Sequence, residues 1–138
     1  MNDCIFCKIV SGKLPCCKVY EDSDTMAFID IGPIIKGHTL VIPKQHYDLV
    51  TETPADILQK LITSVQKVAR AQITALKTDG INIIQANGKA AGQVVPHIHF
   101  HVIPRFNNDG HSRNWIPKSY ADTNEMQQFA NRIKKALT

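Results

Sequence analysis

The stretch that most constrains the fold follows Thr53-Pro54-Ala55-Asp56, where Ile57, Leu58, Leu61, Ile62, Val65, Val68, Ala69, Ile73 and Leu76 recur at helical spacing. Thr53 is expected to cap this helix, Pro54 to take its first position and Asp56 to favour its positive end. Asp79-Gly80 is expected to end it. Short strand candidates lie on both sides: Lys18–Tyr20, Thr25–Ile31 and His38–Pro43 before it, Gly80–Gln85 and Val94–Pro104 after it. A second helix is expected to start near Asp122 or Thr123, with Met126, Phe129, Ala130, Ile133 and Leu137 on one face. Strands around one long helix, without regular βαβ alternation, predict an α+β fold with a mainly antiparallel sheet of about five strands.

The chain has 138 residues, 43% hydrophobic and 20% charged, which suits one soluble globular domain spanning residues 1–138. The net charge is +4, but the lysines and arginines are scattered and only Lys134-Lys135 are adjacent. Nucleic-acid binding calls for a basic stripe and is not expected. Met1-Asn2-Asp3-Cys4 lacks the features of a signal peptide, and no apolar run reaches the roughly 18–20 residues needed to cross a bilayer. A cytoplasmic location and no membrane partner are therefore expected. The segment Phe106–Ala121, with its isolated Trp115, reads as a long loop.

Six histidines occur in the chain and three fall within five residues, in His97-Ile98-His99-Phe100-His101-Val102-Ile103. On a strand, alternate side chains share a face, so the imidazoles point one way and the apolar residues the other. Three readings compete: a polar strand without special chemistry, a hydrolytic metal site with His38 or His111 as a further ligand, and nucleophilic attack by imidazole on phosphorus. One metal on all three motif histidines is disfavoured, because the outer pair lies ~13 Å apart at strand rise. The loop Asn87–Gly92, followed by Gln93, favours the third reading. Its glycines allow backbone N–H groups to converge on a phosphate beside the nucleophile.

All four cysteines, Cys4, Cys7, Cys16 and Cys17, lie in the first seventeen residues. In a reducing compartment Cys4-x-x-Cys7 reads as half a metal site or a redox pair, and no thioredoxin-like context surrounds it. Cys16 and Cys17 read as incidental thiols, and His111 as a loop residue with no assigned role.

These residues resemble the histidine-triad (HIT) family, whose signature is His-x-His-x-His followed by two apolar residues. The likeness extends over Ala91–Arg105, over Phe28-Ile29-Asp30-Ile31-Gly32-Pro33, over Gly37–Lys44 with His46, and over Cys4–Ile9. It covers roughly residues 4–105 and leaves 106–138 as a variable tail. The resemblance implies a homodimer whose sheets join, and hydrolysis at the α-phosphate of a purine nucleotide. His99 would be the nucleophile, His101 would assist the leaving group, and His38 would complete the polar cluster. Asp30 would hold the ribose, with Phe6, Ile9, Phe28, Ile31 and Leu40 around the base. Asn87, Gly92, Gln93 and Val94 would face the phosphate. Cys4, Cys7, His46 and His97 would hold a structural Zn2+. Ala86 and Val94 depart from the family pattern, each removing a side-chain hydrogen bond near the phosphate, and Asn87 is the candidate to compensate. The Hint branch, acting on purine nucleoside phosphoramidates, fits best; dinucleoside polyphosphate hydrolysis as in the Fhit branch and a nucleotide-binding adaptor are the alternatives.

Overall fold

The computed structural model describes residues 3–111 and 117–137; Trp115 falls outside them. Among these residues five strands form one antiparallel sheet: β1 (Lys18–Glu21), β2 (Thr25–Ile29), β3 (Thr39–Pro43), β4 (Gly80–Gln85) and β5 (Phe100–Arg105), in the order β1-β2-β3-β5-β4. The α+β class and the antiparallel sheet are as the sequence implies. Among the described residues three α-helices accompany them: α1 (Ile5–Val10), α2 (Ala55–Leu76) and α3 (Thr123–Lys135).

Alternation along the strands buries both faces of the sheet. Ala27 and Ile29 of β2 and Val41 of β3 join Leu61, Val65, Val68 and Ala71 of α2 and Ala130 and Ile133 of α3 in the main core. On the opposite face Met26, Phe28, Leu40 and Ile42 pack against Cys4 and Phe6. The six-residue α1 is too short to stand alone in water and is stabilised by its contacts, which is why no local pattern announced it. Cys4 caps it, its sulfur accepting from the Cys7 N–H at 3.4 Å.

The ends of α2 differ from expectation. Thr53 does not cap; its hydroxyl donates to the Leu49 carbonyl at 2.8 Å, and Pro54 sits in extended conformation (ψ 146°) immediately before the first turn. The helix stops at Lys77, which takes the left-handed conformation (φ 53°, ψ 52°), while Gly80 already belongs to β4. The expected strand over Val94–Pro104 is shorter, because pairing starts only at Phe100; β2 likewise ends at Ile29. His97 and His99 therefore precede the ladder. The last helix starts as expected, with the Asp122 carboxylate accepting from the Glu125 N–H at 2.8 Å.

Residues 117–125 dock on the turn that leads into β3. Lys118 N–H donates to the Pro33 carbonyl at 2.7 Å, Gly37 N–H to the Tyr120 hydroxyl at 2.8 Å, and Lys36 pairs with Glu125 at 3.1 Å. That turn is tight: a Cβ on Gly37, at φ +102°, would lie 2.7 Å from Leu76 Cδ1.

A left-handed residue with a Cβ is strained, and glycine is not. Lys77→Gly is expected to raise unfolding stability by roughly 0.5–1 kcal/mol, read from urea midpoints, with no change of fold.

Candidate functional site

Two clusters of titratable side chains flank Phe6. Its ring meets His99 edge-on at 5.2 Å and His97 at 5.7 Å between centroids. On the His99 side, the His99 and His101 rings are 4.9 Å apart and those of His101 and His38 are 5.1 Å apart. His101 comes from β5. His38 stands one residue before β3, whose Leu40 pairs with His101.

Main-chain atoms fix which nitrogen of His38 and of His99 carries the proton, and His38 passes the choice on to His101. Ile34 N–H donates to His38 Nδ1 at 3.1 Å, so in the neutral ring the proton is on Nε2. That Nε2–H points at His101 Nδ1, 2.9 Å away, which places the His101 proton on its own Nε2. His99 Nδ1 lies 2.7 Å from the His97 carbonyl, an acceptor only, so Nδ1 carries the proton and Nε2 keeps its lone pair. One ring thus offers a nucleophilic nitrogen and its neighbour an N–H donor.

Burial enforces neutrality. Desolvation, aided by repulsion from His101 and His99, holds His38 down at about 3. Desolvation with repulsion from His99 holds His101 at about 4, and desolvation lowers His99 as well. Asp30 is shifted upward by desolvation, against the Gly32 N–H that bonds its Oδ1 at 2.9 Å. Its Oδ2 lies 3.5 Å from His38 Nε2. Asp30, His38 and His101 are close enough together to suggest a metal site. The bond from Ile34 argues against it, because a ring that accepts at Nδ1 holds a proton, not a lone pair, at Nε2.

The second cluster joins Cys4, Cys7, His46 and His97, whose donor atoms all lie within 4.8 Å of one another. His97 Nδ1 is 3.4 Å from Cys4 Sγ and 3.7 Å from Cys7 Sγ, and His46 Nδ1 is 3.3 Å from Cys7 Sγ. At tetrahedral angles and ordinary zinc bond lengths a sulfur–nitrogen edge is about 3.6 Å. Both far nitrogens have acceptors: His97 Nε2 bonds the Pro43 carbonyl at 2.9 Å and His46 Nε2 the Asp48 carboxylate at 2.6 Å. Both lone pairs therefore turn toward the sulfurs, the arrangement a tetrahedral metal requires. Burial, then the neighbouring Cys4 thiol, pushes Cys7 up to about 11, so Cys7 needs a cation to ionise at neutral pH. These four residues fit a structural zinc ion.

The loop residues behave differently from expectation. Asn87 Oδ1 accepts from Val50 N–H at 2.8 Å and its amide pairs with that of Gln85. Gln93 spans the loop base, accepting from Gly88 N–H at 2.7 Å and donating to the Asp48 carbonyl at 2.8 Å. Both amides hold the loop, and what the loop presents is backbone, with Gly88 and Gly92 in positive φ. Asn87 therefore does not stand in for a side chain at Ala86. Phe6, Phe28 and Leu40 share one apolar cluster with Ile9, whereas Ile31 is 80% and Val94 87% exposed outside it. Cys16 is half-buried at the edge of that cluster, and Cys17 is buried in the main core. Asp48 escaped the sequence reading, although its place two residues after His46 was a usable signal. Ile34, Pro43 and His97 act through backbone atoms, which side-chain patterns cannot reveal.

The family model described as the HIT domain matches residues 11–108. The chain belongs to the HIT family. It is 50% identical over 107 residues to an uncharacterized HIT-like protein of Methanocaldococcus jannaschii, spanning 78% of this chain and 82% of that one. It is 46% identical over 110 residues to the adenosine 5'-monophosphoramidase of Schizosaccharomyces pombe, 77% of each chain. The zinc-bound histidine triad family protein of Mycobacterium smegmatis superposes with a TM-score of 0.88 at 39% identity, over 98% of this chain and 93% of that one. Among the described residues no helix is long and apolar enough to cross a membrane.

Proposed function

We propose that this HIT protein is a nucleotide hydrolase of the Hint type, cleaving purine nucleoside phosphoramidates or related nucleoside monophosphate derivatives at the α-phosphate. The observation that carries the reading is the pair of opposed tautomers: a lone pair on His99 Nε2 beside an N–H on His101 Nε2. The S. pombe relative's named activity supports the substrate class.

In the first step His99 Nε2 gives its lone pair to phosphorus as the phosphorus–nitrogen bond breaks. The leaving nitrogen, already protonated in the bound substrate, departs as the free amine, and neutral His101 donates its Nε2–H to the lone pair that develops there. In the second step water attacks the same phosphorus and loses a proton to the departing amine, while the bond to His99 breaks and its electron pair returns to Nε2. The nucleoside monophosphate leaves with the water oxygen. Asp30 suits the ribose hydroxyls, Phe6, Phe28 and Leu40 form the apolar wall for the base, and Ile31 and Val94 stand exposed at the rim. The backbone N–H groups of the Gly88–Gly92 loop are the donors for the phosphate oxygens.

Zinc held by Cys4, Cys7, His46 and His97 would clamp α1 to the segment that carries His99. It would supply stability, not Lewis-acid chemistry. A homodimer joined through the β4 edge also fits, since Ile83 is 48% exposed on that edge strand.

Replacing His99 by Ala is expected to lower turnover of adenosine phosphoramidate by at least ~1000-fold in a discontinuous AMP assay, while AMP binding persists. Full activity in that variant would exclude the nucleotidyl-histidine route, and AMP binding by an inactive wild type would favour an adaptor. Elemental analysis is expected to find one zinc per chain, lost in Cys4→Ser with a lower thermal midpoint, and two zinc ions would contradict the tautomer assigned to His38. Sedimentation velocity is expected to give a dimer that Ile83→Lys weakens; an unshifted monomer–dimer balance would move the interface elsewhere.

A further inference from the structure

Gln72 lies in the middle of α2, wholly buried, and it is not in either histidine cluster. Its Nε2 donates to the Val102 carbonyl at 2.9 Å and to the Gly37 carbonyl at 3.1 Å, with the Thr39 hydroxyl at 3.3 Å. Both carbonyls are acceptors only, so the amide has to face them with its nitrogen. Its Oε1 then finds no partner among the described residues. A buried amide with an orphaned carbonyl is a poor device for simply seating a helix on a sheet, because Met or Leu would fill the same space without an unpaired polar atom.

The two carbonyls it holds belong to particular residues. Gly37 immediately precedes His38, and Val102 immediately follows His101. The recorded pairing between β3 and β5 ends at Thr39 opposite Val102, so His38 stands one residue beyond the ladder. Beyond that last pair, Gln72 bridges the carbonyl just before His38 to the carbonyl just after His101, and the Thr39 hydroxyl also donates to the Gly37 carbonyl at 2.8 Å. The other end of Gly37 is also held: its N–H donates to the Tyr120 hydroxyl at 2.8 Å. Glycine restricts the chain least of all residues, so the positive φ of +102° at Gly37 has to be held by contacts such as these.

We propose that Gln72, together with Tyr120, is a positioning residue that clamps Gly37 and so sets the 2.9 Å approach of His38 Nε2 to His101 Nδ1. Through that contact it determines which way the His101 Nε2–H points. This role rests on the reading of His101 as the group that serves the leaving nitrogen, but the geometry it sets is measurable without substrate.

The test uses the full-length, metal-loaded protein with nitrogen-15 in its histidine rings. In wild type, the ring shifts are expected to give the Nε2–H tautomer for both His38 and His101, with a nitrogen–nitrogen coupling across their hydrogen bond. Gln72→Met keeps the volume and removes both donors. It is expected to abolish that coupling, and to lower kcat for adenosine phosphoramidate on the order of 10–100-fold with KM within about twofold. A purely structural Gln72 would lower the thermal midpoint and leave the coupling and kcat in place, which overturns the proposal. Tyr120→Phe removes only the acceptor for Gly37 N–H and is expected to weaken the same coupling. It decides the matter if Gln72→Met does not fold: an unchanged coupling and kcat in Tyr120→Phe reject the clamp. An inactive wild type that shows the coupling, with Gln72→Met losing it, upholds the clamp and rejects the hydrolase reading.

Discussion

His97 is the residue on which the rest of the site depends. Its ring is fully buried and its Nε2 is tied to the Pro43 carbonyl, at the end of β3. That bond turns Nδ1 toward Cys4 and Cys7, and the His97 carbonyl in turn holds His99 Nδ1. Desolvation lowers His97 to about 4, so the ring stays neutral and keeps the lone pair that faces the sulfurs. One imidazole therefore links the cysteine cluster, β3 and the orientation of the neighbouring ring.

The same economy of backbone bonds recurs across the site. Ile34 N–H, the His97 carbonyl and the Pro43 carbonyl each decide a histidine tautomer, and none of them is a chemically distinctive side chain. A main-chain partner cannot swing away or titrate, so the orientation it imposes holds across the pH range in which the rings themselves stay neutral. Because the sheet is packed on both faces, by α2 and α3 on one and by α1 on the other, these backbone atoms are themselves held rigidly. The proposed division of labour, with His99 and His101 at the phosphate and His97 at the metal, uses that rigidity.

Much of this could be read from residue order. The spacing from Ile57 to Leu76 specified a long helix, and Asp122 marked the start of the last one. The alternation of His97–Ile103 correctly separated the polar from the apolar side, although only Phe100 onward joins the ladder. Where the reading missed, local signals were overruled. Thr53 had the chemistry of a cap, yet its hydroxyl found the Leu49 carbonyl; Asn87 and Gln93 had the chemistry of phosphate ligands, yet they fasten the loop. The short α1 has no propensity strong enough to be seen before Phe6 is packed.

The sequence by itself determined the inventory: which side chains can ligate, attack or donate, and which periodicities force an α+β arrangement. Periodicity and residue chemistry are local properties, so they survive without the fold. The tertiary structure alone decided which nitrogen of each ring carries the proton, how the lone pairs of His46 and His97 turn toward Cys4 and Cys7, and that a buried amide on α2 straddles the residues beside His38 and His101. Each of these depends on atoms from segments far apart in the chain, many of them backbone atoms common to every residue type. No pattern of side chains encodes where they come to rest.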